Sequence, residues 1–593
     1  KFFFASLLAL AVAGVLFFIV FFIMIGSLAS SITSTVTSDQ QTTVVKENSV
    51  LYIDLTELYH ELGESNSLAL FTGGSSESAG LHDLLNSIAY AKNDNNIKGI
   101  YLKTGGSPNG QGTAQQIRNA LKDFKQSKKF IYAYGDFIPQ NDYFIASVAD
   151  SIFINPMGAV EWKGLSSNLV FFKGALDKLN VQPEIFYCGQ FKSATEPFRM
   201  DKMSEPNRKQ IAGLQKDMWA EMLMAVSEYT KADTATVNGW AQNGSIQTAS
   251  DAINYKLIAG TKYKDEVEKL IKFKSNLQEQ EKLRFVKISD YAKGARSKTN
   301  ESQIAILVAE GEIVDGEGQG SGSQIASETF IKEIRKVRDN DKVKAVVLRV
   351  NSPGGSALAS EVILRELQIL HAKKPIVVSM GDLAASGGYY IACQADSIFA
   401  LPNTITGSIG VFGMMFNTKA FFNEKLGVTF DTEKNAPYAD FPNLNRTMTD
   451  VEKRFIQNSV DSIYKTFKTR VATGRKMDIA YVDSIGQGRV WTGTAALNNG
   501  LVDALGGLDR AVKSAASLAK LNDYQTVTYP KVEDKFEKMM RMISNNSTSE
   551  KVLAEQLLER ELGKEYRWFR MLRTMQEQKN HIWMMMPYVP EIK

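Results

Sequence analysis

Short apolar runs and amphipathic stretches alternate along this chain, and the whole pattern occurs twice. Val50-Leu51-Tyr52-Ile53-Asp54-Leu55 and Ile304-Ala305-Ile306-Leu307-Val308-Ala309 have the length and the branched apolar content of buried strands. Each is followed by a Gly/Ser-rich stretch, residues 72–80 and 316–323. A helix-period pattern comes next, then a strand at 97–103 or 343–349, a turn, a second helix pattern and a strand at 130–134 or 376–380. Parallel strands need a helix-sized crossover, so this alternation predicts an α/β fold with a largely parallel sheet covered by helices. The charged, uneven stretch 272–302 reads as the connector between halves, and the Met-, Glu- and Arg-rich composition from 535 onward predicts helices outside the repeat.

The two halves are copies. Ile97-Lys98-Gly99-Ile100-Tyr101-Leu102-Lys103 matches Val343-Lys344-Ala345-Val346-Val347-Leu348-Arg349, and the offset (343 − 97 = 246) holds without a gap to Pro156 and Pro402. In that register Gly135-Asp136 falls on Gly381-Asp382, Tyr143 on Tyr389, and Ala149-Asp150-Ser151-Ile152-Phe153 repeats as Ala395-Asp396-Ser397-Ile398-Phe399. The copies differ where chemistry is possible. The second has Ser386 where the first has Gln140, and the first has Lys192 in a region where the second reads Tyr438-Ala439-Asp440. A hydroxyl nucleophile is available only in the second copy and that lysine only in the first.

Residues 2–28 carry no charge and are rich in Phe, Leu, Ile and Val, enough to cross a hydrocarbon core of ~30 Å as a helix and longer than the apolar core of a cleaved signal peptide. The expectation is an uncleaved transmembrane anchor, followed by a Ser/Thr-rich tether over 27–43, with the folded body on the outer side of the membrane, periplasmic if the source is a Gram-negative bacterium. The first residue is Lys1 rather than Met, so native residues are expected to precede it. Net charge is +4 with the signs interspersed, which gives no basic stripe for nucleic acid. Two cysteines, Cys188 and Cys393, do not make a disulfide framework and read as packed thiols.

Ser386 follows a predicted strand and opens a helix at Gly387-Gly388-Tyr389, where the helix dipole and small neighbours suit a nucleophile; a simple helix cap would look the same. Asn351-Ser352-Pro353-Gly354-Gly355-Ser356 ends the strand before it, and two glycines there could aim N–H groups at an oxyanion or merely form a tight turn. The first copy has Pro108-Asn109 at the glycine positions, and proline has no N–H to donate. A serine needs a base. The four histidines, His60, His82, His371 and His581, fall in predicted helices or the tail, none beside a glycine-rich turn. Lysine can serve if burial lowers its pKa from ~10.4 toward neutrality, and Lys192 sits among apolar and small residues in Gly189-Gln190-Phe191-Lys192-Ser193-Ala194. Most lysines, however, are solvated surface groups. No Cys/His cluster has metal-ligand spacing, and no metal or cofactor is expected.

Taken together, the Lys192 segment, Asn351–Ser356, Gly381–Tyr390 and Thr406-Gly407-Ser408-Ile409-Gly410-Val411-Phe412-Gly413 resemble, in order and spacing, the signal peptide peptidase A family in its long, duplicated form. The resemblance covers nearly the whole chain. It implies tandem Clp-protease/crotonase-like domains, a Ser–Lys dyad assembled from both halves, and a periplasmic, dome-shaped homotetramer on the inner membrane that hydrolyses signal peptides left after preprotein processing. Carried over, it makes Ser386 the nucleophile, Lys192 the general base, Gly354 and Gly355 the oxyanion hole, and Ser408 the residue that orients the lysine. The first copy has Trp162 at the Ser408 position. The implied organisation is an anchor at 1–28, an N-terminal domain at 46–275, a C-terminal domain at 303–530 and a helical extension at 531–593. Two other readings share the fold: a crotonase-like acyl-thioester enzyme, and an inactive membrane scaffold.

Overall fold

The structure is a computed structural model and describes residues 45–65, 77–295, 300–318, 323–531 and 582–585. The expected anchor at 1–28 lies outside these residues; among those described, no helix is long and apolar enough to cross a membrane.

Each half is built on its own sheet. In the first, the strands run Gly260–Thr261, Ser151–Val160, Phe130–Ile138, Ile97–Lys103, Ser49–Asp54 and Phe285–Lys287 across the sheet, all parallel. In the second, Ile405–Gly407, Ile376–Ala385, Val343–Ser352, Gln303–Glu310 and Gln525–Tyr529 follow the same parallel order, with Val490–Thr492 antiparallel at the edge. The duplicated sequence is thus a duplicated topology. The central strands are buried on both faces, as in a parallel sheet covered by helices, and their apolar side chains form a core in each half.

Within the stretch expected to be a connector, 272–302, residues 285–295 belong to the first half, whereas Asn300 and Ser302 bond to Gln525 of the second. Phe285–Lys287 pairs with Ser49–Asp54, and the Phe285 ring stacks on Tyr101 at 5.4 Å. Three residues alternating within charged sequence are too short a strand to register as a period. The segment expected to be helical beyond 531 supplies a strand at Ile582–Met585; residues 532–581 and 586–593 lie outside the described set.

A third sheet joins the halves. Its order is Gln324–Ala326, Glu312–Val314, Gly354–Ser356, Ile582–Met585, Phe412–Asn417 and Gln182–Tyr187, so the last of these brings a first-half strand against a second-half one over six residue pairs. Polar contacts reinforce the junction. The buried Arg349 guanidinium donates to both Glu61 carboxylate oxygens at 2.8 Å, and Asp382 accepts the Thr113 amide and hydroxyl, both at 2.7 Å, at the start of helix Gln111–Lys125.

Candidate active site

Ser386 ends strand Ile376–Ala385 and caps helix Gly387–Ala392, at φ 56° and ψ −115°. That backbone is in the region where a side chain is strained, at about 1–3 kcal/mol. It is held because the Ser386 N–H donates to Gly407 O at 2.8 Å while Ser386 O accepts the Tyr390 N–H at 2.8 Å. No side-chain capping bond is made, so the hydroxyl is not occupied as a helix cap.

Lys192 arrives from the other half. Strand Gln182–Tyr187 delivers the chain into a turn where Phe191 N–H donates to Gln487 O at 2.9 Å and Lys192 precedes the short helix Ser193–Thr195. Its stem passes through a slot cut by two glycines: a Cβ on Gly488 would meet Lys192 Cβ at 2.6 Å, and one on Gly410 would meet Lys192 Cδ at 3.2 Å. Gln210, on helix Glu205–Thr230, fixes the turn by donating to Ser193 Oγ at 2.9 Å and accepting the Val490 N–H at 3.3 Å.

The two side chains meet inside the protein. Lys192 Nζ lies 3.0 Å from Ser386 Oγ, 3.0 Å from Ser408 Oγ and 3.4 Å from Ser408 O. Lys192 is 2% exposed, Ser386 0% and Ser408 1%. Removal from water pushes the lysine down from 10.5 to about 7, an effect worth roughly 5 kcal/mol against the charged form. Among the described residues no carboxylate is paired with it to reverse this, and the centroid of the Phe412 ring lies 6.0 Å from Nζ. Ser408 is itself fixed, with its N–H donating to Arg489 O at 2.7 Å and its hydroxyl donating to Gly488 O at 3.4 Å.

A neutral amine in this setting has its two N–H groups directed at Ser408 Oγ and O, which leaves the lone pair for the Ser386 hydroxyl. The Ser386 O–H then donates to nitrogen. The arrangement sets a serine hydroxyl, a desolvated amine and a second hydroxyl within hydrogen-bond reach of one another, the geometry that a nucleophile, a base and an orienting group require.

Gly354, at φ 94°, stands against Gly387: a Cβ on Gly354 would meet Gly387 N at 2.6 Å. Gly387 was not singled out from the sequence, although the residue after a serine at a helix start is a natural N–H donor. Gly355 is turned elsewhere, pairing with Ile313, whose carbonyl oxygen would lie 1.9 Å from a Cβ there. Of the histidines, His60 lies 3.1 Å from Glu310 Oε1, His82 Nε2 3.0 Å from Asn86 Nδ2 and His371 2.9 Å from Asp396, all away from Ser386; His581 is outside the described residues. Cys393 is buried, Cys188 half-buried, and both are free thiols.

The equivalent place in the first copy is closed. Gln140 is buried at the Ser386 position, and the turn that matches Asn351–Pro353 directs the N–H groups of Gly105, Gly106 and Ser107 at the Asp142 carboxylate, at 2.8, 3.0 and 2.7 Å. A cradle of amides is kept there, but the protein's own carboxylate fills it.

Comparison with known proteins agrees with this duplicated layout. A family model described as Peptidase family S49 matches twice, over residues 123–278 and 368–522, and a Clp protease model matches residues 299–406. The chain is similar to Protease 4 of Salmonella typhi, 38% identical over 76% of this chain and 74% of that protein. It is similar to Protease 4 of Haemophilus influenzae, 34% identical over 81% and 80%. It is also similar to the chloroplastic serine protease SPPA of Arabidopsis thaliana, 33% identical over 76% and 67%. With one peptidase match in each half and relatives that extend across both, this is a duplicated serine peptidase with a Clp-protease-like α/β fold, and the chain belongs to peptidase family S49.

Proposed function

We propose that the protein is a membrane-anchored endopeptidase that hydrolyses cleaved signal peptides and similar apolar segments through a Ser386–Lys192 dyad. The observation that carries the reading is the buried Lys192 Nζ, 3.0 Å from Ser386 Oγ and lowered to about 7. A lysine near neutrality is a competent base at physiological pH, whereas a solvated one is not.

In the proposed reaction, neutral Lys192 takes the Ser386 proton as Oγ attacks a peptide carbonyl. The Gly387 N–H, at the helix start beside Gly354, would serve the developing oxyanion, where one well-placed donor is worth about 3–4 kcal/mol, and the Gly354 N–H, which here donates to Ser352 Oγ at 3.1 Å, would turn to it as the second donor. The C–N bond breaks as Lys192 passes its proton to the leaving amine. Water, deprotonated by the same lysine, then attacks the acyl-serine and releases the acid. Ser408 keeps the amine aimed through both steps. No metal or cofactor enters the scheme, and Gly355 shapes the strand beside the site rather than donating.

The apolar run at 2–28 supports anchoring to a bacterial inner membrane with the body on the periplasmic side, and the family resemblance supports a homotetramer. An acyl-thioester enzyme would have no need of a desolvated lysine against a serine hydroxyl, and a scaffold would not keep it. A fluorophosphonate probe tests the reading: it should label Ser386 in the wild type and not in Lys192→Ala, and purified protein should cleave a synthetic signal peptide within its apolar core. Labelling that persists in Lys192→Ala, or a labelled protein that leaves the peptide intact, would contradict it.

A further inference from the structure

The first sheet carries a cationic cleft at the end where the chain enters it. Below the last turn of helix Lys264–Lys274, beside the starts of strands Ile97–Lys103 and Phe130–Ile138, a cavity of about 680 Å³ opens to solvent. It is lined by Lys98, Lys125, Lys128, Lys129 and Lys274, with Asp150 as the one carboxylate in its wall, a net +4 (5 − 1). Little of this charge is neutralised. Lys125 Nζ lies 3.1 Å from Asp150 Oδ1, but Lys129 donates to the carbonyl oxygens of Ala91 and Asp94 at 2.7 and 2.6 Å, and Lys98 to Asn95 O at 3.1 Å, bonds that leave the positive charge in place. The Asp94 carboxylate is taken up by the Tyr291 hydroxyl at 2.8 Å and the Asn96 N–H at 2.9 Å. Among the described residues, no acceptor is bonded to the ammonium groups of Lys128 and Lys274.

The duplication supplies an internal comparison. In the gapless register Asn95, Lys125 and Lys129 become Asp341, His371 and Pro375, while Lys98, Lys128 and Asp150 become Lys344, Lys374 and Asp396. These six positions carry +3 (4 − 1) in the first half and 0 (2 − 2) in the second, with the histidine counted as neutral. The shared architecture keeps only one polar pair, Lys125 with Asp150 in one copy and His371 with Asp396, at 2.9 Å, in the other. Excess positive charge at this end belongs to the first half, the half to which the apolar run at 2–28 is joined. Ser49, whose N–H donates to Asn96 O at 2.9 Å, starts the first strand beside Ile97, so the chain enters the fold at the rim of the cleft. Sixteen residues (44 − 28 = 16) lie between the apolar run and the described body, and sixteen residues fully extended reach no more than about 55 Å.

We propose that this lysine cleft is a docking surface for anionic lipid headgroups, by which the body lies down on the membrane that anchors it. The proposal rests on the anchoring part of the reading above. A headgroup phosphate accepts from several ammonium donors at once, and its charge answers the excess left at Lys128 and Lys274. Each lysine brought near an anionic bilayer strengthens contact about five-fold, an attraction that fades within a Debye length of roughly 8–10 Å. Contacts this weak suffice because attachment to the bilayer keeps the local concentration of headgroups high. The strands of the first sheet are parallel, so docking sets their starts against the bilayer and their ends, at Lys103 and Ile138, away from it.

The test places the full chain in lipid nanodiscs and measures, by mass spectrometry, how fast a water-soluble N-hydroxysuccinimide ester acetylates individual lysines. In discs with about 30 mol% phosphatidylglycerol, Lys98, Lys128 and Lys274 should react about ten-fold more slowly than in discs of phosphatidylcholine alone, whereas Lys344 and Lys374 should react equally in both. Salt at about 0.5 M should abolish the difference. The Lys128→Glu, Lys274→Glu double variant should lose the lipid dependence at Lys98 while hydrolysing a soluble peptide at the wild-type rate; if that variant does not fold, labelling of the unaltered chain decides alone. Equal acetylation in the two kinds of disc would overturn the proposal. Equal protection by millimolar glycerol 1-phosphate in phosphatidylcholine discs would overturn it too, by making the cleft a site for a soluble anion. Failure of the full chain to float with phosphatidylcholine vesicles would instead remove the anchoring reading, and this proposal with it.

Discussion

Lys192 Nζ and Ser386 Oγ lie 3.0 Å apart although 194 residues separate them in the chain. They come from different sheets, and each is held by backbone of the opposite copy or by its own strand end rather than by the other. Removing either should therefore disable one unit without unfolding it. Ser386→Ala and Lys192→Ala are expected to abolish hydrolysis to the same extent, read as kcat/KM on a peptide substrate, with circular dichroism unchanged. Retention by Lys192→Ala of more than about a tenth of the wild-type rate, ~1.4 kcal/mol of barrier, would mean another group is the base.

The pH profile should carry the signature of a desolvated amine. The base is active when neutral, so kcat/KM should rise about tenfold per pH unit below the lysine pKa and level off above it. With Lys192 lowered to about 7, the bend belongs near neutrality. A rate that is flat from about pH 5 upward would indicate a carboxylate instead.

The same burial predicts a stability effect of definite sign. Lys192 has its folded pKa near 7 and its ordinary value at 10.5, so between these limits the unfolded chain holds a proton that the folded chain lacks. Stability then rises with pH across that window, and the destabilisation by Lys192 is greatest below pH 7. Lys192→Met should accordingly be more stable than wild type by roughly 2–4 kcal/mol at pH 6, with the gap narrowing toward pH 10. Denaturant unfolding at the two pH values measures it, and a gap that widened with pH would contradict the assignment.

The Arg349–Glu61 pair across the junction makes a separate prediction. Burial raises the Glu61 carboxyl even beside the guanidinium, and Arg349 also donates to Ser379 Oγ at 2.9 Å and Met380 O at 3.0 Å. Glu61→Gln leaves a buried cation without its anion and should cost about 3–5 kcal/mol, whereas Glu61→Leu with Arg349→Met should cost far less. Urea melts of the single and double variants would show this; equal losses would place the energy in packing.

Separated halves should be inert. Fragments 45–295 and 300–593 keep each half's own parallel sheet whole, including Phe285–Lys287, but split the joining sheet between Gln182–Tyr187 and Phe412–Asn417 and divide the lysine from the serine. Neither fragment alone should hydrolyse peptide, and activity should appear on mixing only as the fragments associate, followed by size-exclusion chromatography. Turnover by 300–593 alone would require a base within that fragment.

Much of this was legible in the linear chain because the signals are local or repeated. Periodicity marked the central strands of both sheets, since a strand buried on both faces must be apolar along its length. The register of 343 − 97 = 246 exposed Ser386 and Lys192 as unmatched residues, and the glycine pair at Gly354-Gly355 marked the turn next to them. What the sequence could not decide depends on surroundings that other parts of the chain create. Lys192 is a strong base in water, and only enclosure by Gly410, Gly488, Phe412 and Ser408, all from the opposite half, makes its neutral form accessible. Gly387 comes against Gly354 only when the turn at Ser386 and the strand Gly354–Ser356 are brought together, while Gly355 pairs with Ile313. Strand Phe285–Lys287 and strand Ile582–Met585 are too short to carry a period of their own. They exist because Ser49–Asp54 and Gly354–Ser356 offer them open edges, and backbone hydrogen bonds to an edge ask little of sequence.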